Sequence, residues 1–318
     1  MDQSRGFGYG AAKQSLSRRM PSAWSRRDLL LLSGSGAFLL AAKSHRSQLS
    51  VESYVFQQYA ARQKKPLGDV LAEVIPMAST AGFRYIELNQ EFFVPALRDR
   101  LLSLIRANEL TMPSVYAGGA MHEPGLAEQT IQHALEIGAI CKPFGCEAVV
   151  NNPNPKPGGA PKSDEELATQ AQWLNRLGAT LAERGLQLRV HHHSPEMAEN
   201  AREWRHILHN TNTKDVSLCM DLDWVHQGGQ DPLALLREAG TRVTEIHLRN
   251  SRNKVWLESL EDGDIDYPEI ARYLRESGLH PLLVVELAYR DNTVVTRPLS
   301  EDLRISRTYA EKVFGSSA

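Results

Sequence analysis

From about residue 50 onward, short apolar runs rich in β-branched residues alternate with longer amphipathic stretches. The short runs predict strands, and the longer stretches, where apolar residues recur every three or four positions, predict helices. The eight predicted strands are residues 52–57, 83–88, 111–116, 147–151, 186–192, 216–221, 243–249 and 282–287. The predicted helices are residues 66–81, 95–108, 125–140, 163–184, 196–209, 231–239, 267–277 and 299–314.

Residues that favour helix ends lie at the boundaries of these segments. Gly82, Gly185 and Gly278 directly follow predicted helices, where a glycine commonly adopts the left-handed conformation that ends a helix. Asp231 and Pro232 stand at a predicted helix start, where an acidic cap and a proline at the first position are favoured. The boundaries are therefore supported by local chemistry as well as by periodicity.

Strand and helix alternate throughout, which predicts an α/β fold with a parallel sheet. Closing that sheet into a barrel removes its edges, so we expect a single (β/α)8 TIM barrel over residues 50–316. An open, doubly wound sheet is the alternative, and it favours a glycine-rich phosphate loop after its first strand. Residues 57–65 follow the first predicted strand and contain no glycine.

Net charge and cysteine content limit the partners and cross-links expected of this chain. The formal charge of −2 gives no reason to expect a nucleic acid or an anionic membrane as partner. Three cysteines are too few for a disulfide framework. Cys219 lies in an apolar run and is expected to be a buried free thiol, whereas Cys141 and Cys146 form a pair only if their geometry allows it.

The N-terminal segment is expected to lie outside the barrel. Arg26 and Arg27 precede fourteen uncharged residues, 29–42, which is typical of a Tat-type export signal. As a helix this stretch rises only about 21 Å against a hydrocarbon core of about 30 Å, so we expect no stable membrane anchor. We predict a signal peptide over residues 1–45, with Met20 as an alternative start, and a periplasmic or exported protein. A plain N-terminal extension is the alternative.

Polar residues close most of the predicted strands, and active sites of such barrels lie at that end. Four of them, from the fifth to the eighth strand, are His191, Asp221, His247 and Glu286. Two imidazoles and two carboxylates suit a divalent metal ion such as Mn²⁺, Co²⁺, Zn²⁺, Fe²⁺ or Mg²⁺. The sequence therefore predicts a metal site at the mouth of the barrel.

Each predicted ligand also has a structural interpretation. Glu286 would be a buried carboxylate paired with Arg249, Asp221 a helix N-cap, and His247 the partner of a backbone carbonyl. Strand alternation sends His191 and His193 to one face and the residue between them to the other. We therefore expect His191 to be the ligand and His193 to contact the substrate.

Several stretches of the chain resemble the xylose isomerase-like TIM-barrel superfamily, specifically the sugar phosphate isomerase/epimerase group. The resemblance extends over about residues 50–315. It rests on residues 82–88 (GFRYIEL), 190–196 (VHHHSPE), 220–225 (MDLDWV), 228–232 (GGQDP), 246–250 (IHLRN), 263–267 (GDIDY) and 284–287 (VVEL).

The resemblance implies a metal ion held by a fifth-strand residue together with Asp221, His247 and Glu286, and a sugar that chelates it through adjacent oxygens. In epimerases of this group, glutamates on the fifth and eighth strands act as bases on opposite faces of the sugar. Here the fifth strand carries His191, so either this histidine serves as ligand and acid/base or the symmetric mechanism is lost. The arginine that follows the seventh-strand histidine in epimerases corresponds to Arg249 or Arg252.

The function that these features predict first is that of a metal-dependent isomerase or epimerase, which acts on a sugar or keto-sugar through an enediolate. Glu286 and His191 are the predicted catalytic residues. Trp224 is predicted to form a wall of the substrate site, since aromatic faces pack on sugar C–H surfaces. The full set of predicted substrate contacts is Glu87, Asn151, His193, Trp224 and Arg249.

Two alternatives to an isomerase or epimerase remain, and a third is disfavoured. The same metal site would support a lyase that expels the substituent of a 3-keto-glycoside. A barrel that binds sugar without turnover belongs to a different functional class. An apurinic endonuclease of this fold needs additional metal ligands, which Tyr116 and Asn151 at the ends of the third and fourth strands do not supply. The expected partner is a small-molecule sugar, and a homo-oligomer is an open alternative.

Overall fold

The computed structural model describes residues 48–315, and the predicted signal peptide lies outside them. The eight barrel strands are β1 (Leu49–Glu52), β2 (Tyr85–Asn89), β3 (Ser114–Tyr116), β4 (Ala148–Asn151), β5 (Gln187–Val190), β6 (Val216–Asp221), β7 (Val243–Leu248) and β10 (Leu282–Val285). They are parallel and close into a barrel in the order β1-β10-β7-β6-β5-β4-β3-β2. The TIM-barrel prediction is confirmed.

Helices surround the barrel and bury apolar side chains against it. They are α1 (Tyr54–Arg62), α2 (Leu67–Thr80), α3 (Pro95–Ala107), α4 (Pro124–Cys141), α5 (Asp164–Ala182), α6 (Ala198–Asn210), α7 (Leu222–Gln227), α8 (Pro232–Ala239), α9 (Tyr267–Ser277) and α10 (Leu299–Phe314). Local chemistry fixes their ends: Ser163 and Glu166 form a reciprocal capping box at the start of α5, and Gly278 ends α9 with a φ of +66°. Strand-to-helix alternation thus places every barrel strand end at one mouth.

The first predicted strand, residues 52–57, is wrong. The strand is Leu49–Glu52, and the following residues enter helix α1, which buries Val55, Phe56 and Ala60. Val55 and Phe56 favour a strand by residue type, but their spacing to Ala60 is that of one helix face. The correction moves Glu52 from the beginning of the first strand to its carboxyl end, where barrel active sites lie.

Two smaller elements between the barrel strands were not predicted from the sequence. Helix α7 is only six residues long and follows β6 directly. A two-stranded antiparallel hairpin, β8 (Ser251–Arg252) and β9 (Val255–Trp256), follows β7. Both elements lie after the carboxyl ends of strands, and both contribute a tryptophan to the mouth of the barrel.

The three cysteines, Cys141, Cys146 and Cys219, are buried free thiols, as expected for Cys219. Burial raises the pKa of each thiol, that of Cys146 to about 12. Within residues 48–315, no helix is both long and apolar enough to cross a membrane.

Candidate active site

A cavity of about 420 Å³ opens at the carboxyl ends of the barrel strands. This volume falls in the range of small-molecule sites. Its floor carries predicted metal ligands, and its walls carry aromatic and amide side chains. The residues used below that line it are Glu52, Tyr116, His191, His193, Trp224, His247, Arg249, Trp256 and Glu286.

The four predicted metal ligands come together although 95 residues separate the first from the last. His191 follows β5, Asp221 ends β6, His247 lies in β7 and Glu286 follows β10. One donor atom from each lies within 4.8 Å of all the others. All four side chains are buried, and Glu286 is the most accessible of them at 8% exposure.

Arg249 lies against both carboxylates of this group. One guanidinium nitrogen donates to Oε1 of Glu286 at 2.8 Å, and the other terminal nitrogen donates to Oδ2 of Asp221 at 2.5 Å. Burial opposes the charge of Glu286, but the positive charge of Arg249 and the hydrogen bond with His247 outweigh it and hold the pKa of this carboxyl below its usual range. The pairing of Glu286 with Arg249, one of the two interpretations of the sequence, is therefore present.

Asp221 also caps helix α7, as its alternative interpretation expected. Its Oδ1 accepts a hydrogen bond from the backbone N–H of Trp224 at 2.8 Å. A cap uses one oxygen of a carboxylate and leaves the other for a second partner. The other oxygen of Asp221, Oδ2, lies 3.9 Å from Nε2 of His191 and also accepts from Arg249, so a cation bound there would share this oxygen with Arg249.

The donor set fits a divalent cation. Nε2 of His191 is buried without a hydrogen-bond partner among the described residues, which is costly unless another group binds it. Burial, followed by the nearby His247, His193 and His192, lowers the pKa of His191 well below its usual value, so this imidazole is neutral, as metal binding requires. Two imidazoles and two carboxylates would hold the ion.

A second buried layer lies beneath His247 and fixes its ring. Nδ1 of His247 is 2.7 Å from Oε2 of Glu286, while Nε2 is 3.1 Å from Oε1 of Glu87 and 3.2 Å from Oε1 of Glu245. Arg189 binds Glu245 in turn at 2.5 Å. Carboxylates that hold the far nitrogen of a histidine orient the nitrogen that faces a metal.

Neighbouring charges in that layer shift the pKa values of its carboxyl groups. Burial, together with the charge of Glu245, raises the pKa of Glu87 to about 7. For Glu245, burial opposes ionisation, but Arg189 outweighs it and lowers the pKa to about 2. Glu245 was not singled out from the sequence, although alternation along β7 places it on the same face as His247, two residues later.

Three of the predicted substrate contacts line the cavity, and two do not. His193, Trp224 and Arg249 line it. Glu87 has no exposed surface and lies in the layer beneath His247, and the side chain of Asn151 donates to the carbonyl of Ala117 at 2.8 Å. Glu87 and Asn151 thus contact other protein groups and do not line the cavity, and their contact with a substrate stays a prediction.

The alternation expected for the three histidines is observed. His191 and His193 line the cavity. His192 points away, and its Nε2 accepts a hydrogen bond from the backbone N–H of Asp221 at 3.2 Å. His192 therefore supports the position of a neighbouring strand end rather than the substrate.

The aromatic wall of the cavity is larger than the sequence indicated. The ring of Trp224 lies 5.1 Å from that of Trp256 on the hairpin and 5.2 Å from that of His193, both edge to face. Tyr116 packs against His191 with ring centroids 5.3 Å apart. The hairpin was not predicted, so Trp256 was missed. Rings with a polar edge suit the alternating C–H and hydroxyl groups of a sugar.

Residues 75–309 match the model of a protein family described as Xylose isomerase-like TIM barrel. Among curated proteins, the inosose dehydratase of Clostridium perfringens (strain 13 / Type A) is 27% identical over 47% of this chain and 56% of its own length. That of Geobacillus thermodenitrificans (strain NG80-2) is 27% identical over 48% of this chain and 56% of its own. The chain thus spans about half the length of these curated relatives.

Solved structures show the same fold at low sequence identity. A sugar phosphate isomerase/epimerase from Parabacteroides distasonis ATCC 8503 superposes with a TM-score of 0.65 at 16% identity, covering 85% of this chain and 95% of that one. An L-ribulose 3-epimerase superposes with a TM-score of 0.63 at 16% identity, covering 84% and 94%. At these identities the likeness concerns the fold alone.

Proposed function

Because the chain belongs to the xylose isomerase-like TIM barrel family, we propose that it is a metal-dependent lyase acting on a keto-polyol. The enzyme removes a proton next to the carbonyl and then expels an oxygen substituent from the next carbon. The observation that carries this proposal is the grouping of donor atoms from His191, Asp221, His247 and Glu286 within 4.8 Å at the cavity floor.

A divalent cation held by these residues would stabilise the negative charge that develops on the carbonyl oxygen. The protein supplies the remaining chemistry. Glu286 takes the proton from the carbon beside the carbonyl, since its carboxylate is ionised and lines the cavity. Arg249 keeps Glu286 and Asp221 in place through its two hydrogen bonds.

The asymmetry of the site favours elimination over epimerisation. Epimerisation needs one group to remove a proton from one face of the substrate and another to return a proton to the opposite face. The fifth-strand position carries a neutral imidazole, His191, while the other side carries the ionised Glu286. Elimination needs only one base, and the curated relatives are, by name, dehydratases.

The charges of the cavity favour an uncharged polyol over a sugar phosphate. Among the described residues that line it, the single arginine is Arg249, which is already bound by two carboxylates, and no lysine is present. The guanidinium of Arg290 stacks on the ring of Trp256, 4.3 Å from its centroid, and does not line the cavity. Phosphate recognition normally uses free arginine or lysine side chains or a helix N-terminus. We infer that the substrate carries hydroxyl groups instead.

Epimerisation of a keto-sugar is the second candidate. It is favoured by the position of His191, which contacts the cavity beside Tyr116 and would return the proton from the other side. Both reactions begin with the same proton removal, so the products distinguish them.

Product analysis in D₂O tests the proposal. The metal-loaded protein is incubated separately with inosose and with methyl 3-keto-glucoside, and products are followed by nuclear magnetic resonance. We expect an unsaturated ketone or its diketone tautomer, with loss of water from the first substrate and of methanol from the second. A deuterated epimer without elimination would favour the second candidate, and unchanged substrate would favour a barrel that binds sugar without turnover.

We also propose that the protein acts outside the cytoplasm. Arg26, Arg27 and the uncharged stretch after them support export of the folded chain. Glycosides and free polyols, rather than sugar phosphates, are the substrates available there, which agrees with the charges of the cavity.

A further inference from the structure

Glu52 occupies the carboxyl end of β1, on the cavity side of the barrel. It pairs in register with Glu87 of β2. The residue before it, Val51, pairs with Val285 of β10, so Glu52 and Glu286 stand at the same level on neighbouring strands. Glu52 lines the cavity and is only 3% exposed.

Only one of the two carboxyl oxygens of Glu52 accepts a short hydrogen bond. Its Oε2 accepts a hydrogen bond from the backbone N–H of Tyr54 at 2.6 Å. Its Oε1 has a single long contact with the hydroxyl of Ser53, at 3.4 Å. Among the ion pairs of residues 48–315, none includes Glu52. The second oxygen therefore remains available to a molecule in the cavity.

The two cavity carboxyls Glu52 and Glu286 have opposite environments. Burial, and then the charges of Glu286 and Glu87, raise the pKa of Glu52 well above its usual value. Glu286 accepts a hydrogen bond from Arg249 at 2.8 Å, whereas no arginine or lysine among residues 48–315 pairs with Glu52. A buried carboxyl without a cationic partner suits the role of an acid.

We propose that Glu52 is a further catalytic residue, the acid that gives a proton to the oxygen leaving the substrate. This inference rests on the proposed elimination. It assigns to the first strand a proton-transfer role that the sequence had placed only on the fifth and eighth strands.

The elimination balances without any further reactant. Glu286 takes the proton from the carbon beside the carbonyl, and the electron pair of that C–H bond forms the enolate. As the carbonyl re-forms, a carbon–carbon double bond forms to the next carbon, and the C–O bond there breaks with its electron pair on oxygen. The proton of Glu52 passes to that oxygen and releases water or an alcohol. Glu286 then gives its proton to solvent, and Glu52 regains one.

Glu52 also holds the turn between β1 and α1, so a substitution can act through structure alone. Two substrates that differ only in the leaving oxygen separate these roles. Methoxide is strongly basic and needs a proton to leave, whereas 4-nitrophenolate is stable as an anion and does not. A general acid contributes about 10²-fold or more to the first reaction and little to the second.

The test compares wild-type protein and Glu52→Gln on methyl and 4-nitrophenyl 3-keto-glucosides. Glutamine retains an oxygen that accepts from the N–H of Tyr54. We expect methanol release to fall by about 10²-fold or more and nitrophenolate release to stay within about threefold of wild type. An equal loss with both substrates, or no loss with either, would overturn the role of Glu52.

If Glu52→Gln does not fold, as judged by its melting curve, Glu52→Asp carries the test. Aspartate keeps a carboxyl group, but its side chain is shorter by one methylene group. The ratio of methanol release to nitrophenolate release should therefore fall. An unchanged ratio would overturn the proposal. Failure of the proposed function gives a different result. Wild-type protein would then eliminate neither leaving group, which removes the acid role as well.

Discussion

Arg249 lies among three buried carboxylates, and its position decides how the charges of the site balance. It binds Glu286 and Asp221 directly, and its Nε is 3.6 Å from Oδ2 of Asp223. The carbonyl of Arg249 accepts the hydroxyl of Tyr267 at 2.5 Å, which fixes the backbone. Despite Arg249, burial raises the pKa of Asp221 to about 8, and a cation held by the four donors would favour the ionised form of this carboxyl.

The substitution Glu286→Gln tests whether Glu286 is the base that removes the substrate proton. Glutamine keeps the shape and one oxygen but removes the charge and the basicity. We expect kcat to fall by about 10²-fold or more, with weaker metal binding alongside, while the melting temperature stays close to that of wild type. Near-normal exchange of the substrate proton with solvent by the metal-loaded variant would contradict this assignment, and the base would then be sought at His191 or His193.

Trp224→Ala tests the aromatic wall. Trp224 is half-buried, packs on Trp256 and His193, and its indole N–H has no hydrogen-bond partner among the described residues. We expect KM for the keto-polyol to rise about tenfold, with a smaller effect on kcat. Trp173→Ala, at a half-buried tryptophan on α5 outside the cavity, is the control and should leave KM unchanged. A large loss of stability in Trp224→Ala with unchanged KM would favour a purely covering role.

At the scale of single residues, the sequence was informative where type and strand position agreed. His191, Asp221, His247 and Glu286 were predicted because each closes a strand. Other residues of the site gave no such signal. Trp256 depends on a hairpin of two-residue strands, too short for a periodic pattern, and the position of Glu52 depends on where the first strand ends.

Among the elements, β1 shows why a strand boundary is hard to predict. Its four residues contain only two large apolar side chains, Leu49 and Val51, and its neighbours Val55 and Phe56 have the higher strand propensity. Helix α1 forms there because its buried face packs on the barrel, so tertiary packing outweighs local preference. The other barrel strands were predicted because glycines and acidic caps mark the helices around them.

The turn after β5 gives a pH-dependent prediction. Glu196 accepts the backbone N–H of His193 at 2.8 Å, while burial and then the charge of Glu203 raise its pKa to about 7. The folded state therefore binds more protons than the unfolded state between about pH 4.5 and 7. The contribution of Glu196 to the free energy of unfolding is therefore complete at low pH. It falls by at most about 3 kcal/mol as the pH rises through that window.

Glu196→Gln removes this titration while keeping an acceptor for the backbone N–H. Urea unfolding of both proteins at pH 5 and pH 8 measures the effect. We expect the free energy of unfolding of wild type, relative to the variant, to be higher at pH 5 than at pH 8. An equal difference at the two pH values would show that folding does not raise the pKa of Glu196, and would contradict this prediction.

The geometry of the whole barrel explains why the site could be predicted from residues that are distant in sequence. In a parallel barrel all strands end at the same mouth, so His191 and Glu286 meet across 95 residues. The reaction could not be predicted equally well, because the same barrel end supports proton transfer in more than one direction. The distribution of charge between Glu52, Arg249 and Glu286 emerges only from the three-dimensional arrangement.

Export is a property of the full chain and gives a separate prediction. Replacing Arg26 and Arg27 by lysine keeps the positive charge but removes the twin arginine that Tat-type transport reads. We expect the variant to be retained in the cytoplasm, as measured by cell fractionation. Its appearance in the periplasm in mature form would contradict a Tat-type signal.

Calorimetric titration of Mn²⁺ into chelator-treated protein tests whether the mouth of the barrel is a metal centre. We expect one ion bound per chain, and loss of this binding in the double variant Asp221→Asn, His247→Gln, which keeps the size of both side chains close to the original. Absence of binding to the wild-type protein, or unchanged binding to a folded double variant, would contradict it. Arg249 alone would then balance the carboxylates, and the mouth of the barrel would not be a metal centre.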